Sequence, residues 1–319
     1  MIKVIKGILY RMINNKAYLS MPLIITPIVI AAAIYFSSSV VTRPNIGVVG
    51  IEDFNFNNNE INIIKLDKKA PLSDLVKNEY DAIISIENGN FKVDTIKSDD
   101  YKSKIEGILR GEKVDFQGEN KRGVGANIIG FLTMFLIMLG VMLYKFFFDE
   151  KKGMAKRIIS SNISYEQYVL SHFAAVFIMI FIPTVIITVM SKSLFNIRTS
   201  LNNVELSFIV LILSLLASSF GLLMSSIVKS EESASMLGSM ITIITTLISG
   251  SFFTISNNSF ITSIGEILPQ KHILDFAIAL ENDNTINYGD VSNVILVTIF
   301  MIILSFVINK YKMRKYNCI

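Results

Sequence analysis

Apolar and polar positions divide the chain into long apolar runs and one long polar interruption. The apolar runs are Ala17–Val41, about Val124–Phe148, Tyr165–Met190, Leu206–Val228, Ser235–Ile255 and Val291–Ile308. Each is long enough to cross a hydrocarbon layer of roughly 30 Å as a helix. The pattern predicts a polytopic α-helical membrane protein with six transmembrane helices, TM1 (17–41), TM2 (124–148), TM3 (165–190), TM4 (206–228), TM5 (235–255) and TM6 (291–308). The first run is too apolar for too long to be a signal peptide, and no A-x-A cleavage site follows it, so it reads as a retained anchor. Pro22 and Pro27 predict a kink in its first half. Pro183 predicts another in the third run.

The interruption, residues 42–123, is inserted between the first two spans and holds 13 Lys/Arg and 15 Asp/Glu. Its short apolar runs at 46–50, 61–66, 81–86 and 90–96 read as strands, with a hairpin turn at Glu87-Asn88-Gly89-Asn90. Residues 71–80 and 98–110 read as helices. The result is a small α/β domain. Residues 256–290 are semi-polar, and 260–268 and 272–280 read as two short amphipathic, re-entrant helices on the outer face, interrupted by Pro269. Residues 1–16 place Ile2, Ile5, Leu9 and Met12 or Ile13 on one helical face and Lys3, Lys6 and Arg11 elsewhere. They form either an amphipathic helix lying in the membrane surface or a positive flank to the first span.

Composition agrees with membrane residence: 51% of the 319 residues are hydrophobic and the mean hydropathy is +0.52. The net charge of +4 says little, but its placement says more. With the N-terminus inside, the cytoplasmic flanks carry fourteen Lys/Arg and the short outer loops three, Lys192, Arg198 and Lys271. The expectation is a cell-membrane, multi-pass protein with both termini cytoplasmic, residues 42–123 extracytoplasmic and 309–319 a basic cytoplasmic tail. The single cysteine, Cys318, reads as an incidental cytoplasmic thiol, too near the end for a prenylation box. Nothing points to nucleic acid.

The sequence offers no catalytic site. There is no G-x-x-x-x-G-K-[ST] loop, no H-E-x-x-H, no G-x-S-x-G and no metal-ligand spacing around His172 and His272. The central parts of the spans carry no Asp, Glu, Lys or Arg, since Lys145 and Glu166 lie at span ends. A proton- or ion-coupled carrier needs such a charge, so secondary transport is disfavoured. The spans do carry small and hydroxyl residues: Gly238, Ser239, Thr242, Thr245, Thr246, Ser249 and Gly250 in the fifth, and Ala217, Gly221 and Ser225 in the fourth. These serve close helix packing, or form a weakly polar dimer seam or translocation path.

The largest charged break between spans is Asp149–Ser164, DEKKGMAKRIISSNIS. As a helix, Glu150–Ile159 places Lys151, Lys152, Lys156 and Arg157 outward and Met154, Ile158 and Ile159 toward the membrane. Ser164 and Gln167 have capping-box spacing at the start of the next span. A positive anchor accounts for the charge alone, and so does a cytoplasmic handle.

In residue order this stretch resembles the permease subunits of the type-2 ABC exporters, in the subfamily with a large outer domain between spans one and two. The matching pattern is acidic-basic residues, Gly153, a small residue, Lys156-Arg157-Ile158-Ile159, then a hydroxyl-led span. Gly221–Ser225, Ser249-Gly250, Leu268-Pro269 before His272, and Asn78–Ile96 are similar to further family segments. Met154 and Asn162 stand where family members often have Thr and Pro. The resemblance implies that 149–164 is a coupling helix. Glu150, Lys151, Lys152, Gly153, Met154, Lys156, Arg157 and Ile158 would then dock on a separate ATPase subunit. It further implies two such ATPases per complex, each holding ATP and Mg, a second permease, identical or paralogous, and contact with membrane lipid. No cofactor belongs to this chain. The implied function is ATP-driven export of an amphipathic peptide, drug or lipid-like substrate. A membrane sensor with an extracytoplasmic ligand-binding domain, and a scaffold without transport, are the alternatives from other classes.

Overall fold

The structure is a computed structural model. It describes residues 1–39, 45–49, 62–66, 71, 75, 80, 82–87, 90–95, 99–109, 123–151, 157, 163–194, 199–252, 263–282 and 287–315. The chain forms two compact units, one from residues 1–38 and 122–319, the other from 39–121.

The second unit carries a four-stranded sheet: β1 (Asn45–Val49), β2 (Asn62–Leu66), β3 (Ala82–Glu87) and β4 (Asn90–Asp94), in the order β2-β1-β3-β4. β1 pairs in parallel with both β2 and β3, while β3 and β4 form an antiparallel hairpin. Its core is Ile46, Val48, Ala82, Ile84 and Val93, joined by Ile105 of helix α3 (Asp99–Leu109). Alternate residues of a strand share a face, which is why Ile46 and Val48, and Ala82 and Ile84, point to the same core. The expected helix over 71–80 and the Asn88-Gly89 turn lie almost wholly outside the described residues.

The first unit is helical: α1 (Ile2–Asn14), α2 (Lys16–Ser39), α4 (Val124–Leu143), α5 (Lys145–Lys151), α6 (Tyr165–Leu194), α7 (Asn203–Ile227), α8 (Glu231–Ile248), α9 (Pro269–Glu281) and α10 (Tyr288–Lys315). Among the described residues, five segments are long and apolar enough to cross a membrane: 16–35, 124–150, 165–194, 203–227 and 288–312. The stretch expected as the fifth span, 235–255, is not among them. Its helix, α8, begins with Glu231-Glu232 and ends at Ile248, and 253–255 lie outside the described residues. Eighteen residues rise about 27 Å, slightly less than the hydrocarbon layer.

α7 is the hub of the bundle and packs on α4, α6, α8, α9 and α10. Its closest neighbour is α4, and small residues let the two backbones meet. A Cβ on Gly221 would stand 2.6 Å from the Gly140 carbonyl oxygen, and one on Gly140 would press into the Ala217 carbonyl. Many hydroxyls inside the spans bond to their own helix, among them Ser214 to the Val210 carbonyl, Ser218 to Ser214 and Ser226 to Leu222. Such back-bonding hides a polar atom where no water is available.

Several boundaries differ from expectation. The break expected at Pro269 falls at 266–268, and Pro269 itself opens α9 three residues before the expected start, at the first turn, where a missing N–H costs nothing. Only residues 263–268 of the preceding expected helix are described. The span expected to end at Ile308 continues as helix to Lys315, so the first part of the expected tail is helical. The extension has partners: Asn309 donates to Ser226 Oγ at 2.7 Å, and Lys312 Nζ donates to the Ser226 and Ile227 carbonyls at the end of α7. α1 buries Ile8 and Met12 against the bundle and leaves Ile2 and Ile13 exposed, so its inner face is rotated from the expected apolar stripe. α2 stays helical through both Pro22 and Pro27.

Candidate functional site

After a turn at Tyr144, the chain that leaves α4 restarts as α5, KFFFDEK. Lys145 and Asp149, four residues apart, face outward, while Phe147, Phe148 and Glu150 face inward. Glu150 shares a helical face with Phe147, three residues earlier, and is therefore carried into the bundle. Its side chain is 4% exposed.

The buried carboxylate is matched on both oxygens. Arg11 of α1 places its guanidinium 2.6 Å from Glu150 Oε1. Tyr168 Oη and His172 Nε2 of α6, at i and i+4, donate to Oε2 at 2.8 and 2.9 Å. Aromatic rings enclose the group. Phe147 and Tyr168 meet the His172 ring edge-on, with centroids 5.0 and 4.7 Å away, and Arg11 lies over Phe146 at 5.2 Å. The base of the charged stretch is thus tied to α1 and α6 through one carboxylate. Outside this box, Lys145 pairs with Glu231 of α8 at 2.8 Å. α6 starts with a complete capping box: Gln167 N–H donates to Ser164 Oγ and Ser164 N–H to Gln167 Oε1.

The residues expected to couple to an ATPase divide sharply here. Glu150 is buried and its carboxylate is held by three partners inside the bundle. It is the last residue of the second apolar segment, whose central part carries no charge. Arg157 is exposed. Lys151 ends α5, and Lys152, Gly153, Met154, Lys156 and Ile158 lie outside the described residues. Arg11, Tyr168 and His172 were not foreseen as partners of Glu150. The available signals were Tyr168 and His172 on one face of α6, and an N-terminal region with no acidic residue before Glu52.

The expected seam in the fifth apolar run turns inward in this chain. Gly238, Thr242, Thr246, Ser249 and Gly250 are buried, and Ser239 and Thr245 are half-buried. A Cβ on Gly238 would touch Val141 of α4 at 3.0 Å. Thr242 bonds to the Gly238 carbonyl, and Gln270 of α9 donates to Thr245 Oγ1 at 2.8 Å. The opposite face of α8 exposes Met236, Leu237, Met240, Ile244 and Leu247.

The profile of the ABC-2 type transporter family matches residues 99–282, more than half of the chain. The chain belongs to the ABC-2 type transporter family. This makes it the permease component of an ABC transporter, a multi-pass membrane protein that associates with an ABC ATPase subunit. No curated protein matches the chain. Within this ABC-2 transporter chain, the matched region holds α5 and its charged continuation, α6, and the whole inward-facing stripe of α8. Arg11, which completes the Glu150 box, lies before it.

Proposed function

We propose that this permease serves an ATP-driven exporter and that Asp149–Ser164 is its coupling segment, docking on the ATPase subunit through Lys151, Lys152, Gly153, Met154, Lys156, Arg157 and Ile158. The observation that carries this reading is the Glu150 box. A segment that receives movement must be rooted in the elements it moves, and Glu150 binds its base to both α1 and α6. Glu150 is the pivot of the coupling segment, and the basic residues beyond it meet the ATPase. ATP and Mg are held by two ATPase subunits, and a second permease, identical or paralogous, completes the path. The exposed apolar face of α8, with the turn after Ile248, supplies the sixth crossing. The basic flanks support an orientation with both termini in the cytoplasm and residues 42–123 outside. Spans without central charges, whose buried hydroxyls are mostly bonded to their own helices, suit an amphipathic peptide, drug or lipid-like substrate better than a bare cation.

The test is triple charge reversal, Lys152→Glu, Lys156→Glu and Arg157→Glu, in the chain copurified with its ATPase subunit. Loss of ATPase recruitment with normal membrane insertion is the expected result, since eleven of the fourteen basic flank residues remain and Asp and Glu weigh little in topology. Undiminished recruitment and ATP turnover would refute the docking role. Misinsertion would show that the stretch is a topological anchor.

A further inference from the structure

At the end of the bundle remote from Glu150, a second buried carboxylate joins three elements. Glu281 is the last residue of α9 and is 7% exposed. It accepts from Gly125 N–H at 2.9 Å and Ala126 N–H at 2.7 Å, in the first turn of α4. It also accepts from Thr199 Oγ1, on the connection between α6 and α7, at 2.7 Å. The same hydroxyl accepts from Leu201 N–H. α4 lacks a side-chain cap of its own, because its N-cap is Gly123. Glu281 supplies that cap from 156 residues away in sequence and adds negative charge where the helix dipole favours it.

The site is shaped for the carboxylate. A Cβ on Gly123 would fall inside the Glu281 carboxyl group, and one on Gly125 would stand 2.5 Å from Thr199 Oγ1 and 2.9 Å from Glu281 Oε1. Two glycines therefore clear the space that the acid occupies. α4 rises about 30 Å between this point and the turn into α5. One rigid helix thus carries the Glu281 clasp at its start and leads to the Glu150 box at its other end.

We infer that Glu281 is a positioning residue for transport: a releasable latch that closes α9 and the α6–α7 connection onto the start of α4 and lets go when ATP binds. The inference rests on the coupling reading above. A carboxylate with charge-assisted bonds to backbone N–H groups is strong enough to hold a closed state, yet its partners remain satisfiable by water once it opens. A covalent or purely apolar closure would not have that property. Movement received near Glu150 is delivered along α4 as a pull on Gly125 and Ala126.

The experiment uses the full chain assembled with its ATPase subunit, with Cys318→Ser removing the single native thiol and Ala126→Cys placing a probe at a fully buried position. The rate of modification by a water-soluble maleimide is compared without nucleotide and with ATP trapped by vanadate. The expected result is slow labelling without nucleotide and labelling about tenfold or more faster in the trapped complex. Glu281→Gln, and separately Thr199→Val, raise the nucleotide-free rate toward the trapped one while the melting temperature shows the chain still folded. A complex that hydrolyses ATP but labels equally in both states overturns the latch and leaves the transport reading intact. Unchanged nucleotide-free labelling in both variants overturns it as well. Failure of any ATPase subunit to join the chain brings down the transport reading, and the latch with it.

Discussion

At the scale of single residues, Glu150 dominates the chemistry of the ABC-2 chain. A carboxylate removed from water is tolerated only when charge and hydrogen bonds compensate it, and here Arg11, Tyr168 and His172 do so together. Glu150→Ala leaves the Arg11 cation and two buried polar groups without their acceptor. The expected loss is about 3–5 kcal/mol of stability. Asp149→Ala, on the exposed side of the same turn, is expected to change stability by less than about 0.5 kcal/mol. Denaturant unfolding of the detergent-solubilised chain measures both, and equal effects would show that the box does not anchor the segment. None of this was legible in the sequence as a site. The acid sits in a run of charged residues that reads as solvated, and its three partners are 18, 22 and 139 positions away. Hydrophobic patterning reports which face is buried, but not which polar groups will meet there.

At the scale of elements, local rules performed well where local chemistry decides. The four strands follow from alternation and β-branched residues, and the start of α6 from the Ser164–Gln167 spacing. They performed less well where distant partners set the limits. α10 continues to Lys315 because Asn309 and Lys312 find acceptors at the end of α7, a contact no local pattern encodes. The break before α9 follows from Pro269, but the helix then includes the proline itself, because in the first turn it lacks only a donor that has no intrahelical partner. Two variants separate local from surface effects on either side of the charged stretch. Ser164→Ala removes one half of the capping box and is expected to cost about 1 kcal/mol, seen as earlier hydrogen exchange in the first turn of α6. Lys145→Met breaks only the solvent-exposed pair with Glu231, so the expected change is below about 1 kcal/mol and shrinks with added salt. A larger effect for Lys145 than for Ser164 would mean that the α5–α8 pair, rather than the cap, holds this region.

At the scale of the whole molecule, the apolar runs and the inserted polar segment were readable because a bilayer imposes one long period on the sequence, and 39–121 forms a compact unit of its own. What that period leaves open is orientation, and here the charge distribution makes the decisive prediction. With six crossings, fourteen basic residues would flank one side and three the other, and short basic flanks resist translocation. The protein provides its own probe, because Cys318 is its single thiol and lies beyond the last span. In intact cells Cys318 is expected to resist a membrane-impermeant maleimide and to react once the membrane is opened. In a Cys318→Ser background, a thiol introduced by Lys92→Cys, exposed on β4, is expected to react in intact cells without permeabilisation. The two measurements constrain each other. Helix count alone would allow both positions on one side if α8 failed to cross, since five crossings put the C-terminus opposite the N-terminus and six put them together. Protection of Cys318 with labelling at position 92 therefore supports inside basic flanks and α8 as a crossing at the same time. Labelling at both positions in intact cells would instead keep α8 within one leaflet and leave five crossings.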